Sequence, residues 1–309
     1  MDQLVTLFGG GGFLGRYVAQ ALMKGGARVR IAERDPSNAW FLKPLGALGQ
    51  TQFVVADVTD AASARRAAQG STAVINLVGL LKGDFERVHV AGARNAAAAA
   101  ADAGASSFVQ ISAIGADLAS PSAYGRSKAA GEAAAREVFP TATIVRPSIL
   151  FGSEDNFVNR FAGLARLLPF MPVIRPSVKL QPAWVADVAR AVAAAALHPA
   201  THGGQTYELG GPEVMTMAAL NRWIAEATGR SRHIVEVPDS AAGLMASLAG
   251  WLPGAPITSD QLRMLGRDNV ASGDGFAAFG IAPAPLAAVA PAWLVQYRRS
   301  GRFGTAKSA

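Results

Sequence analysis

Cysteine is absent from the 309 residues. That excludes disulfides, thiolate metal sites, Cys-ligated iron–sulfur clusters and cysteine nucleophiles, and it leaves the redox compartment illegible from thiols. Charge is scarce too, at 17% of residues against 50% hydrophobic. Long apolar runs are missing. The most membrane-like stretch, AAGLMASLAGWL over 241–252, has 12 residues, well short of the roughly 20 that span hydrocarbon. Its Leu244, Met245, Leu248, Trp251 and Leu252 read as a core face, with a membrane- or partner-facing surface as the alternative. The start MDQLVTLFGG shows no basic segment followed by an apolar one, so no signal peptide is expected and the cytoplasm is the default location. Histidines are few. His198 and His202 have helical spacing, but Pro199 interrupts the helix between them, and neither they nor His89 and His233 suggest a metal site.

The formal net charge of +7 is concentrated at one end: RRSGRFGTAKSA supplies four charges through Arg298, Arg299, Arg302 and Lys307. The rest of the chain is close to neutral, which argues against a nucleic-acid-binding fold. The tail reads as a solvated terminus or as a docking element for an anionic surface.

What the chain does have is alternation. Short β-branched runs at 4–9, 28–33, 52–57, 73–79, 107–112 and 143–148 are separated by helical stretches, the pattern of a Rossmann-type, doubly wound parallel sheet covered by helices on both faces. One helix spans 86–103, where six consecutive alanines suit tight helix–sheet packing and Gly104 suits a C-cap. After Gly152 the regularity weakens into a loop-rich excursion, LLPFMPVIRPSVKLQP. A helix N-capped by Asp187 and stopped by Pro199, then a strand at 205–210, return to the sheet. Glu154 and Asp155 read as a cap for a helix from Asn156. Further helices are expected at 218–229, 239–252 and 259–267. The expected organisation is a dinucleotide-binding domain of 1–150 and 185–211, with a smaller, mainly helical C-terminal region of 151–184 and 212–309. In the irregular part, Asn156, Asn159, Arg160, Arg175 and Gln181 are the polar groups able to line a pocket, with ordinary loop hydrogen bonding as the alternative.

FGGGGFLGR places Gly9, Gly12 and Gly15 in a GxxGxxG spacing directly after a predicted strand and opening a predicted helix over 13–24. Glycines there allow a tight turn, let backbone amides approach a pyrophosphate and bring helix close to strand, while the helix N-terminus favours the anion. With Gly11, Phe13 and Leu14 this loop is the expected dinucleotide site. The second strand ends in AERDP, where the signals conflict. A carboxylate such as Glu33 hydrogen-bonds a ribose 2′-hydroxyl, whereas Arg34 attracts a 2′-phosphate. Arg16, just beyond the third glycine, adds a second positive group and tips the expectation to NADP(H), with NAD(H) as the alternative. Asp57 and Val58 follow the third strand and face the adenine, or Asp57 caps the next turn. Leu77 and Gly79 close the fourth strand and give the backbone room beside the nicotinamide ribose.

Tyr124 and Lys128, in SPSAYGRSKAAGE, fall one turn apart on a helix beginning near Ser122. A free phenol, with a pKa of about 10, is a poor base at neutral pH. A lysine ammonium one turn away and the positive end of the helix dipole both favour the phenolate, and the same ammonium can hydrogen-bond the nicotinamide ribose.

Together, Gly9, Gly12 and Gly15, NLVG, the YGRSK run and IVRPSILFG resemble the extended and atypical short-chain dehydrogenase/reductase superfamily over nearly the whole chain. More narrowly, GFLGRYV, WFLKPLGALGQ, YGRSKAAGE, FPTATIVRPSILFGSEDNFVNRFA and KLQPAWVADVARA are similar to the NADPH-binding accessory subunits of respiratory complex I and their bacterial relatives. The superfamily resemblance implies Tyr124 as acid/base, Lys128 as its tuner and ribose ligand, and a hydroxyl at the end of strand five that orients the substrate oxygen. It also places Ile111, Pro147 and Ile149 along the nicotinamide. The narrower resemblance implies a nucleotide held for structural or regulatory reasons, with complex I subunits or the cytoplasmic face of the inner membrane as partners. This chain departs from the superfamily at the hydroxyl. Ala113 occupies the expected position and Ser112 comes one residue early, which in a strand faces it the other way. Ser112 serves only if the strand ends in a bulge or turn, which Gly115 permits. An active oxidoreductase or epimerase acting on a carbonyl, sterol-like, quinone or sugar-nucleotide substrate remains the alternative, and a redox-sensing regulator a remoter one.

Overall fold

The structure is a computed structural model and describes residues 3–249 and 258–298. Expectations concerning Trp251, Leu252, Arg299, Arg302 and Lys307, and the side chains of Met245 and Leu248, fall outside what is described. The chain divides into two units.

The first unit comprises Met1–Pro147, Val185–Leu209 and Ser272–Ala282. Its sheet has seven strands: β1 (Leu4–Phe8), β2 (Arg28–Glu33), β3 (Thr51–Val55), β4 (Ala73–Asn76), β5 (Ser107–Ile111), β6 (Thr143–Pro147) and β7 (Thr206–Leu209). All pair in parallel, in the order β7-β6-β5-β4-β1-β2-β3. Helices α1 (Phe13–Lys24), α2 (Ala61–Ala68), α3 (Gly92–Asp102), α4 (Ala123–Val138) and α5 (Val185–Leu197) cover it. α1 packs beside α5, while α2, α3 and α4 form the other layer. Strands β4 and β5, covered on both faces, are wholly buried, as parallel central strands are. The strand order reverses between β1 and β4, and the crevice outside their carboxyl ends is where open α/β sheets take ligands.

Several boundaries have clear local causes. Ser122 caps α4, its side chain accepting from the Gly125 N–H at 3.3 Å. In α3, Ala93, Ala96, Ala97 and Ala100 are buried against Phe108 and Phe139, so small side chains set a close approach of helix to sheet. The run expected as one helix over 86–103 instead opens as a wider π-turn over Glu86–Ala91 before α3. Asp187 is not an N-cap. The helix continues directly from the short strand Ala183–Trp184, so Asp187 lies inside its first turn, fully buried and paired with Arg190 at 2.6 Å. Residues 272–282, read above as part of the smaller region, group with the first unit. There the Ser272 N–H donates to Glu208 at 2.9 Å and Phe279 stacks on His202.

The second unit comprises Ser148–Trp184, Gly210–Ala271 and Pro283–Ala309. Its excursion is more regular than its prolines suggest: Phe170–Ile174 is a strand paired in parallel with His233–Val237, and Lys179–Leu180 pairs antiparallel with Met215–Thr216. Helices Val158–Leu167 and Met217–Ala227 pack around Phe151, Met171, Leu180, Leu220, Ile224 and Leu294. Asp155 takes the Phe157 and Asn159 amides, and the helix starts at Val158, not Asn156. Asn159, Arg175 and Gln181, expected as pocket polar groups, bond within this unit: Asn159 to the Gly152, Ser153 and Asp155 carbonyls, Arg175 to Asp239, and Gln181 to Gly211 and Ala271. Among the described residues no helix is long and apolar enough to cross a membrane.

Candidate functional site

β1 delivers the chain into the glycine loop. Gly9 has φ +81°, a conformation glycine adopts without strain; its N–H donates to the Ala32 carbonyl at 3.2 Å and its carbonyl accepts from Gly12 at 3.1 Å. At Gly15 the issue is space. A Cβ there would stand 2.7 Å from both the Cα and the carbonyl oxygen of Gly10, so α1 approaches the loop as only glycine permits. α1 has no side-chain cap and no acidic residue in its first turn. Its opening amides, at Phe13, Leu14 and Gly15, therefore present the positive end of a helix with no anion built in. The residues present fit a pyrophosphate.

At the end of β2, one oxygen of Glu33 accepts the Gly11 N–H at 2.6 Å. Burial pushes this carboxyl up, against the opposing pull of that hydrogen bond and of Arg34. Gly11, Gly12, Glu33, Arg34, Asp35 and Asn38 line a concavity of about 480 Å³. Arg34 is exposed and makes no hydrogen bond with another described residue. Arg16, expected beside the same pocket, instead lies over the Phe41 ring at 4.6 Å, because its place on α1 faces the 3-10 segment Pro36–Leu45. Asp57 caps its own turn, accepting from the Thr59 N–H and hydroxyl at 2.8 Å each. Burial alone would raise its carboxyl, but these bonds and the Arg34 and Arg87 charges leave it lowered. Val58 is buried against Gly92 and its carbonyl accepts from Asn95.

The remaining candidates of this unit converge. The Leu77 N–H donates to the Phe8 carbonyl at 2.9 Å, and a Cβ on Gly9 would lie 3.3 Å from the Leu77 backbone, so the β1 and β4 loops abut. A Cβ on Gly79 would lie 3.3 Å from the Lys128 Nζ. Lys128, 7% exposed, donates to the Ile111 carbonyl at 3.0 Å. Burial pushes its ammonium down to about 8, opposed by Glu132 one turn on. Glu132 is itself held by one edge of the Arg146 guanidinium, its two oxygens accepting from Nε and Nη2 at 2.8 and 2.6 Å. Burial pushes the Tyr124 phenol up to about 12, opposite to the expected lowering. The Lys128 ammonium is 5.9 Å from the ring centre and is already donating to Ile111, so desolvation wins.

β5 continues without a bulge past its last full strand residue. The Ser112 N–H donates to the Val145 carbonyl at 2.7 Å and the Ile114 N–H to the Pro147 carbonyl at 3.1 Å, two residues apart on each strand. The turn comes after this, at Gly115. Ser112 thus shares the side of Phe108, the side of α3 and α4, and Ala113 faces the other way. The Ser112 hydroxyl is sealed from solvent and has no hydrogen-bond partner among the described residues, whereas Ala113 is half-buried. In the second unit, Ile149 donates its N–H to the Asn269 side chain at 3.0 Å, and Asn269 also takes the Ser148 hydroxyl at 2.6 Å.

Two residues at the converging point carry no motif. His89 comes from the π-turn and Phe85 from the residue just before it, with rings stacked at 5.2 Å and each edge-on to Tyr124. The His89 Nε2 accepts the Leu80 N–H at 2.8 Å and its Nδ1 lies 2.8 Å from the Ser127 hydroxyl. Burial, then the Lys128 charge, pushes its imidazole down to about 3. The available signal was a lone histidine at the head of an alanine-rich helix.

Residues 5–210, which carry the glycine loop, Tyr124, Lys128 and the main sheet, match the model of the "NAD dependent epimerase/dehydratase family". The chain belongs to this family. This epimerase/dehydratase-family chain is 36% identical over 293 residues to the mitochondrial NADH dehydrogenase [ubiquinone] 1 alpha subcomplex subunit 9 of Rattus norvegicus, covering 92% of this chain and 77% of that one. It is 32% identical over 241 residues to the ceramide reductase of Caulobacter vibrioides, covering 76% and 74%. The NADPH-dependent quinone oxidoreductase QOR2 of Escherichia coli, solved with NADPH, shares the fold with a TM-score of 0.77 at 23% identity, over 94% of this chain and 99% of that one.

Proposed function

We propose that this protein binds NADP(H) and acts as an accessory or assembly-stabilising subunit of a respiratory NADH:quinone oxidoreductase, peripheral to the membrane, with the nucleotide held and not turned over. When bound, the dinucleotide supplies the redox chemistry of its nicotinamide; the protein's own groups supply its seat. The glycine loop and the first amides of α1 hold the pyrophosphate, Asp57 and Val58 border the adenine, and Gly79, Ile111, Tyr124 and Lys128 border the nicotinamide ribose. Glu33 has one oxygen committed to Gly11, whereas Arg34 has hydrogen-bonding capacity to spare at the same concavity, which supports a 2′-phosphate there.

The observation that carries the choice of holding over turnover is the Ser112–Ala113 step. The hydroxyl that would orient a substrate oxygen is sealed, and the residue that follows has none. Losing one preorganised donor of this kind costs on the order of 10²-fold in rate. The extent of the likeness to the rat subunit supports the assignment of a partner. A second reading, a reductase, draws on the Caulobacter relative and on the intact Tyr124–Lys128 pair. The test is purification of the tagged protein from its native respiratory membranes. The accessory reading expects NADPH-loaded protein that travels with the oxidoreductase, and slower assembly of that enzyme when the gene is deleted. Recovery of the protein alone, with assembly unchanged on deletion, would refute it.

A further inference from the structure

His89 takes no part in the expected machinery, yet it touches all three segments that meet at the nicotinamide end. It is 3% exposed. Because the Leu80 N–H donates into Nε2, the ring proton must sit on Nδ1, which donates to the Ser127 hydroxyl. The Ser127 hydroxyl in turn donates to the Tyr124 carbonyl at 2.8 Å. One tautomer therefore completes a directional chain from the loop after β4, through the π-turn, into the first turn of α4. The π-turn brings the imidazole there: α4 packs so closely on it that a Cβ on Gly131 would collide with the His89 carbonyl. A Cβ on Gly79, next to Leu80, would lie 3.7 Å from Nε2 and 3.3 Å from the Lys128 Nζ. Phe85 stacks on the imidazole ring.

We infer that His89 is a positioning residue for the nicotinamide half of the dinucleotide site: it fixes the Gly79–Leu80 backbone against the Tyr124–Lys128 turn, so that the loop and the pair form one rigid rim. The inference rests on the dinucleotide reading above and assigns His89 no contact with the ligand. It separates the two halves of the site, because the Gly11–Glu33–Arg34 concavity shares no residue with this chain of bonds.

The experiment measures dissociation constants of NADPH and of the nicotinamide-free 2′-phospho-ADP-ribose for wild-type protein, His89→Ala, His89→Gln and Ser127→Ala, with thermal unfolding alongside. Loss of a buried polar link costs about 1–3 kcal/mol, roughly 5- to 150-fold. His89→Ala is expected to weaken NADPH at least tenfold while 2′-phospho-ADP-ribose stays within about twofold. His89→Gln, whose amide oxygen reaches the position of Nε2 and restores an acceptor for Leu80, is expected to recover most of the NADPH affinity. If His89→Ala does not fold, Ser127→Ala carries the test, with NADPH weakened roughly three- to tenfold and the other ligand unchanged. Equal weakening of both ligands, or no weakening of NADPH, overturns the inference while leaving the dinucleotide reading in place. Wild-type protein that binds neither ligand overturns the reading of the site and this inference with it.

Discussion

Gly15→Ala tests whether the glycine loop is held at its observed spacing. The added Cβ would stand 2.7 Å from two backbone atoms of Gly10, with the Gly9 carbonyl closer still. Ordinary contact begins at about 3.5 Å, so loop and helix must separate by at least about 0.8 Å. Overpacking of this kind costs about 1–3 kcal/mol, which for a unit of this size lowers Tm by roughly 3–10 °C. The same displacement draws the α1 amides from a bound pyrophosphate, and losing one charge-assisted hydrogen bond of about 1.5–3 kcal/mol weakens NADPH roughly 10- to 150-fold. Gly12→Ala is the control for stability alone, since its Cβ would meet only the Gly9 carbonyl, at 3.2 Å, while Gly12 itself lines the ligand concavity. Thermal unfolding and NADPH fluorescence titration read both effects. A Gly15→Ala protein that melts like Gly12→Ala and binds NADPH like wild-type protein would refute the reasoning.

Lys128 and His89 give two predictions of the same sign in different pH windows. The proton of the buried Lys128 ammonium, whose pKa is lowered from 10.5 to about 8, is bound more readily by the unfolded chain than by the folded one, so stability rises with pH between about 8 and 10.5 and the charge costs on the order of 3 kcal/mol at neutrality. Lys128→Met is therefore expected to raise Tm at pH 7 while removing NADPH binding; a lowered Tm would contradict this. His89, lowered from 6.5 to about 3 with Lys128 facing it, contributes stability that is complete above pH 6.5 and is lost as pH falls toward 3, about 2 kcal/mol of it by pH 5. Denaturant titrations at pH 7 and pH 5 should show this loss in wild-type protein and a smaller one in His89→Gln.

The sheet and the dinucleotide loop were legible because their determinants are local. Helix 13–24 is flanked by glycines, α4 opens at a serine cap, and the strands of the first unit are β-branched runs bounded by turns. Phe170–Ile174 was missed because its partner, His233–Val237, lies some sixty residues away and two prolines mask the run. Asp187 was misread because a capping residue type fell three residues into a helix that continues directly from a strand. The π-turn at Glu86–Ala91 has the composition of an ordinary helix, and a wider turn leaves no periodic trace over six residues. The contacts of His89 are invisible for a related reason: one partner is a backbone N–H and the other a serine 38 residues on. The sign of the Tyr124 shift needed burial, which pattern alone does not supply.

The most direct measurement is a single-turnover absorbance trace at the nicotinamide band, with NADPH-loaded protein mixed against a panel of carbonyls and quinones. With Ser112 sealed and Tyr124 pushed up to about 12, tight binding with no oxidation beyond that of free NADPH is expected, for wild-type protein and for Tyr124→Phe alike. Oxidation by any acceptor that Tyr124→Phe abolishes would contradict it.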